Sequence, residues 1–210
     1  MHYTEYLLSD IAILLKGCIA KGQEDHFERN TKSIMQTARP GCWNSALPSG
    51  FHFHLPRALA CGNTLRGDDG VGPFLAAWAE QRFASDSSIR VISRQQRTPD
   101  LAEDIAHAES VLFIDCSVES APGSINLRPV HQSAPQQGLA THHQGAAELL
   151  SLTRELYDSL PKNAQLLTIG AGAMALSENF SEPVTAALPH ACRLIEETVL
   201  RLITASNLPV

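Results

Sequence analysis

From residue 57 onward the apolar positions follow two alternating periods. Short runs such as Val111-Leu112-Phe113-Ile114 are continuous, as in strands buried on both faces. Longer stretches repeat every three or four residues, as in helices with one buried side: Val71, Phe74, Leu75 and Trp78 fall at i, i+3, i+4 and i+7. The pattern predicts strands near 57–61, 89–94, 111–116, 124–130 and 164–170, and helices near 70–84, 99–108, 144–159 and 182–203. This alternation predicts a three-layer α/β/α fold, with helices on both faces of a mostly parallel, twisted sheet of about five strands. The Pro122-Gly123 turn opens residues 111–130 to a hairpin, which would make one strand antiparallel. Pro183 suits the first turn of the last helix, whereas Pro189 is expected to kink or interrupt it.

Residues 1–56 read differently. Tyr6, Leu7, Ile11, Leu14, Leu15 and Cys18 have helical spacing and predict a helix near 3–20. Polar, irregular sequence follows, with turns at Pro40-Gly41 and Pro48-Ser49-Gly50. The expected organisation is an N-terminal extension, 1–56, and an α/β domain, 57–210.

Composition narrows the function classes. With 210 residues, 44% hydrophobic and 18% charged, the chain can bury one sizeable core. A net charge of −6 argues against nucleic acid, which favours basic stripes. Cys18, Cys42, Cys61, Cys116 and Cys192 are odd in number and include no C-x-x-C pair, so neither a disulfide framework nor a zinc knuckle is indicated. The early apolar run from Ile11 to Leu15 is far too short to span a bilayer, and without a basic n-region before a long apolar core no signal peptide is expected. A cytoplasmic protein with reduced thiols is expected, its oligomeric state open.

Three stretches carry candidate chemistry. The first runs from Cys61 to Pro73, a strand end, a glycine-punctuated turn and a helix start with Asp68 and Asp69 between them. Asp69 can be read as a helix N-cap or as a group facing a cation or an activated water. A dinucleotide loop is rejected, because the glycine spacing is not G-x-G-x-x-G and two acids would repel a pyrophosphate. The second is Asp115, at the carboxyl end of an apolar strand, where ligands of open α/β sheets bind. A carboxylate there requires a turn to cap, an arginine partner or a cation. Cys116 should face away from Asp115, toward the core. The third is Thr141-His142-His143-Gln144, which leads into the Glu148-Leu149-Leu150 helix; its histidines are surface groups or ligands. His52 and His54 could chelate from one face of a strand, but surface residues account for them as well.

Gly62-Asn63, Asp68-Asp69 and Gly70-Val71-Gly72, in this order and spacing, resemble the signature of the hydrogenase maturation proteases, which trim the large subunit of [NiFe] hydrogenases. Phe113-Ile114-Asp115-Cys116 resembles the family's second acidic strand end, and His142 matches its histidine when Glu148-Leu149-Leu150 is aligned with the family's acidic-apolar run. His143 is one residue out of register. Residues 96–103 and 165–170 also resemble family segments, so the likeness covers about residues 57–203. An additional aspartate that some members carry after the second strand is missing; Ser93-Arg94-Gln95 stands there. The resemblance implies that Asp69, Asp115 and His142 are catalytic residues and contact nickel, which the substrate protein supplies rather than this chain holding it permanently. Oxygen and imidazole donors suit such a borderline divalent ion. The implied partner is the precursor of a [NiFe] hydrogenase large subunit, cut to remove a C-terminal extension. No Gly-x-Ser-x-Gly elbow or His-Glu-x-x-His helix offers another route. Two other classes stay open: a nickel-checkpoint module that docks the same subunit without cutting, and a small-molecule hydrolase on the same plan.

Overall fold

The structure, a computed structural model, describes residues 55–85, 89–132 and 145–206. The predicted strands form as β1 (Arg57–Cys61), β2 (Arg90–Arg94), β3 (Ser110–Ser117), β4 (Ile125–Pro129) and β5 (Asn163–Gly170). The predicted helices form as α1 (Val71–Arg82), α2 (Leu101–Ala106), α3 (Ala146–Tyr157) and α4 (Glu182–Ser206), with a 3-10 turn, Gly67–Gly70, before α1. The helix expected near 3–20, and His52 and His54, lie outside the described residues.

The sheet order is β2-β1-β3-β5-β4. β1 pairs in parallel with β2 and β3, β3 in parallel with β5, and β4 antiparallel to β5. One strand is therefore antiparallel, but not through a β3–β4 hairpin, because β5 lies between them. The burial pattern explains the correction. β3 is buried from Ser110 to Ile114 and takes parallel neighbours on both sides, as a central strand should. β4 is exposed or half-buried along its length and ends in Pro129, which cannot donate a ladder bond, so it belongs at an edge.

Leu59, Val111, Phe113 and Leu166 project from one face of the sheet onto Leu101, Ala102 and Ile105 of α2 and Leu149 and Leu150 of α3. α1 packs on β1, β2 and β3 from the other face, beside α4. The layers are those of an α/β/α sandwich. α4 runs unbroken through Pro189, so of the expected kink or interruption the interruption does not occur. Val184 and Leu188 before the proline, and Ala191, Ile195, Val199 and Leu202 at or after the next turn, are all buried. Burying several such side chains, at about 1.5–3 kcal/mol each for the larger ones, outweighs the ~3 kcal/mol that a helix-interior proline costs. Among the described residues no helix is long and apolar enough to cross a membrane.

The end of the sheet where the parallel strands begin holds one buried charge. Arg57 donates to the Leu55 carbonyl at 3.2 Å and lies 3.6 Å from Asp104, while its Nε lacks a hydrogen-bond partner. Burial pulls its pKa below the ordinary arginine value, and Asp104 partly restores it. Asp104→Ala, which strands the guanidinium, is expected to lower stability by about 2 kcal/mol, whereas Arg57→Met is expected to be neutral or stabilising. Urea unfolding of both variants checks the difference in sign.

Candidate active site at the carboxyl edge of the sheet

The chain leaves β1 through Gly62, whose φ of +147° is open to glycine and strained for other residues. Its N–H donates to the carbonyl of Arg94, the last residue of β2, at 3.1 Å. A methyl group here would overlap the Asp69 main-chain oxygen, so the glycine lets the turn fold back on itself. Asn63 then organises the turn. Its Oδ1 accepts from the Leu65 N–H at 3.0 Å, and its own N–H donates to Asp69 Oδ2 at 3.2 Å. Asp69 is not a helix cap: neither the 3-10 turn nor α1 has a side-chain cap bond, and Gly70 occupies the N-cap of α1. The half-buried Asp69 carboxylate turns back toward Asn63, and its second oxygen carries no hydrogen bond among the described residues.

Asp68 has the opposite role. It is fully buried, and its Oδ2 accepts from the Gly172 and Ala173 N–H groups and the Ser181 hydroxyl, each at 2.7 Å. Its Oδ1 accepts from the Ser181 N–H, also at 2.7 Å. Burial would raise the Asp68 carboxyl, but these donors outweigh it and hold it below the usual aspartate value. Main-chain bonds complete the staple between the two loops: Gly67 N–H to the Ser177 carbonyl, Asp68 N–H to the Ala173 carbonyl and Ser177 N–H to the Leu65 carbonyl. Phe74 of α1 and Phe180 add an edge-to-face contact, 5.4 Å between ring centres.

Asp115 ends the apolar run of β3 and shares a sheet face with Val111 and Phe113. Its Oδ1 accepts from the Cys116 N–H at 2.8 Å, and its Oδ2 takes the Arg97 guanidinium. Of the partners expected for it, an arginine is the one seen. Burial pushes the Asp115 carboxyl above its usual value despite Arg97 and Cys116, and the negative charge of Asp69 pushes the same way. Asp69 and Asp115, from neighbouring strand ends, thus act on one another across the edge. The nearby thiols are poor nucleophiles. Burial raises Cys61 to about 11, and burial with the charges of Asp115, Asp69 and Asp68 raises Cys116 to about 12.

His142 and His143 lie outside the described residues. α3 follows them, and its far end is joined to the start of β5 through residues 158–162. A helix of 12 residues spans about 18 Å, so α3 begins near the edge that carries Asp115. Among the described residues no group of three or more His, Cys, Asp or Glu could hold a metal ion.

The chain superposes on the hydrogenase maturating endopeptidase HybD from E. coli with a TM-score of 0.57 and 16% identity, over 70% of this chain and 93% of that one. A [NiFe] hydrogenase maturation protease, HycI from Thermococcus kodakarensis KOD1, gives 0.53 and 21%, over 70% and 92%. An endopeptidase from Escherichia coli, solved in solution, gives 0.53 and 16%, also over 70% and 92%. No family model matches the chain, and no curated protein matches it. The fold is that of the hydrogenase maturation endopeptidases.

Within this endopeptidase fold, two residues at the edge were not singled out from the sequence. Asp68 stood only as half of an acidic pair, and which member faces inward depends on loop geometry without a period. Arg97 meets Asp115 from 18 positions away, a separation that no local pattern encodes. Because Asp68 is held below its usual value in the folded chain, its contribution is present above about pH 4 and is lost as the pH falls through the folded-state value. Asp68→Asn places an amide group against backbone donors. It is expected to cost at least about 2 kcal/mol at neutral pH and to flatten the acid side of the stability profile, measured by thermal unfolding across pH 2–7.

Proposed function

We propose that the chain is an endopeptidase that removes a C-terminal extension from the nickel-loaded precursor of a [NiFe] hydrogenase large subunit. The observation that carries this reading is the placement of Asp69, in the turn after β1, and Asp115, at the end of the neighbouring strand β3, at the carboxyl edge of the sheet, in a fold shared with endopeptidases whose names state hydrogenase maturation. The signature around Gly62-Asn63 and Asp68-Asp69 supports it from the sequence.

In this proposal Asp69, Asp115 and His142 contact the nickel that the precursor carries. That contact places one peptide bond of the precursor at the edge. Asp69 offers the oxygen that no other described residue binds, and carboxylates suit a divalent ion carried in by a substrate. The raised Cys61 and Cys116 thiols give little support to a covalent route, so water is the nucleophile. A carboxylate accepts the water proton as oxygen bonds to the scissile carbonyl carbon. The C–N bond then breaks, and the leaving amine takes up a proton. In this reading the protein works in the cytoplasm.

Incubation of the purified chain with nickel-loaded and nickel-free precursor tests this reading, with intact-mass spectrometry of the large subunit as readout. Trimming only of the nickel-loaded form is expected. Asp69→Ala and Asp115→Ala are each expected to slow it by at least about a hundredfold, in line with the loss of a positioned acid–base or ligand group. Tight binding without trimming would replace the peptidase by a checkpoint module.

A further inference from the structure

The two acids that face each other at the edge differ in how much of each carboxylate is free. Asp69 keeps one oxygen without a hydrogen bond among the described residues, whereas both oxygens of Asp115 are engaged. The engagements of Asp115 are unequal. The Cys116 N–H belongs to the strand end itself and cannot leave without undoing β3, where Cys116 pairs with Ile169 of β5. The Arg97 guanidinium arrives on a flexible side chain from the connection between β2 and α2, and can leave by rotation of that side chain. The pair is mostly sheltered, its side chains 14% and 21% exposed, so water screens it little. No other cation is paired with Asp69 or Asp115 among the described residues.

We propose that Arg97 is a displaceable counter-cation, a specificity-determining residue that occupies Asp115 until a metal ion held by the substrate protein takes its place. This rests on the reading of Asp115 as a nickel contact. A divalent ion bound to Asp115 Oδ2 would stand against the guanidinium, and like charges at that separation repel, so the ion and Arg97 exclude one another. A free ion must drive Arg97 out with its own binding energy alone. An ion embedded in a precursor adds the binding energy of the protein surface around it. Arg97 thereby lowers the affinity for free and for presented metal by the same factor, so a loose ion falls below occupancy while the surface contacts of the precursor still hold its ion at the edge.

Titration calorimetry of the full-length protein with nickel chloride alone tests this. Arg97→Leu, or Arg97→Gln if the leucine variant folds poorly, is expected to bind nickel about tenfold more tightly than the unchanged protein, as competition between two ligands of one group requires. Arg97→Lys, which keeps the charge, is expected to stay within about twofold, and Asp115→Asn added to Arg97→Leu is expected to remove the gain. A folded, uncharged variant that binds nickel equally or more weakly overturns the proposal, and so does a gain that survives Asp115→Asn. The outcome is separable from precursor trimming. Tighter nickel binding without cleavage leaves the counter-cation standing while the peptidase reading falls; cleavage with unchanged nickel affinity does the reverse.

Discussion

An aspartate stripped of water would normally cost several kcal/mol or take up a proton, and Asp68 does neither because three backbone N–H groups and a hydroxyl converge on it. Those donors belong to residues 172–181, so the carboxylate is the point at which the loop after β1 and the loop after β5 become one body. The consequence reaches beyond Asp68. Asp69 is the next residue, and its direction is fixed from one side by Asp68 and from the other by Asn63. A group that must meet something presented from outside has to be held before that meeting, since ordering it during the encounter would weaken binding. Asp68 supplies that order from the interior.

The two strand-end acids of the edge show how environment divides residues of one chemical type. Asp68 is surrounded by donors and stays ionised below the usual range. Asp115 has an arginine and one N–H, yet burial and the charge of Asp69 prevail and raise it. A carboxyl raised in this way accepts a proton more readily than a free aspartate.

Much of the fold was legible because it is periodic. The continuous run Val111-Leu112-Phe113-Ile114 could only be a central strand, and the stripe of Val71, Leu75 and Trp78 places one side of α1 inward, where all three are buried. What failed was relational. The Pro122-Gly123 turn was visible, but nothing between residues 111 and 130 states that β5 will lie between β3 and β4, because pairing partners are chosen by burial across the whole sheet. Pro189 was overruled in the same manner, by apolar side chains on both sides of it that one residue's propensity does not register. At the site, Asp69 and Asp115 were named through the resemblance of their motifs, since position alone left Asp69 open to a helix cap and Asp115 to a turn or an arginine. The division of labour between Asp68 and Asp69, and the partnership of Arg97 with Asp115, depend on loops that have no period to read.

The field of the edge unites these observations. Burial first, and then the charges of Asp115, Asp69 and Asp68, lift the Cys116 thiol, so negative charge there finds no support. The same carboxylates that oppose a thiolate attract a cation, and within the protein Arg97 is the cation that answers. Arg97 does not act alone, because Arg94 at the end of β2 also bears on Cys61, while Asp68 spends most of its acceptor capacity on the neighbouring loop. The character of this edge therefore follows from how its charges are paired, Asp68 with backbone donors and Asp115 with Arg97, before it follows from the identity of any single residue.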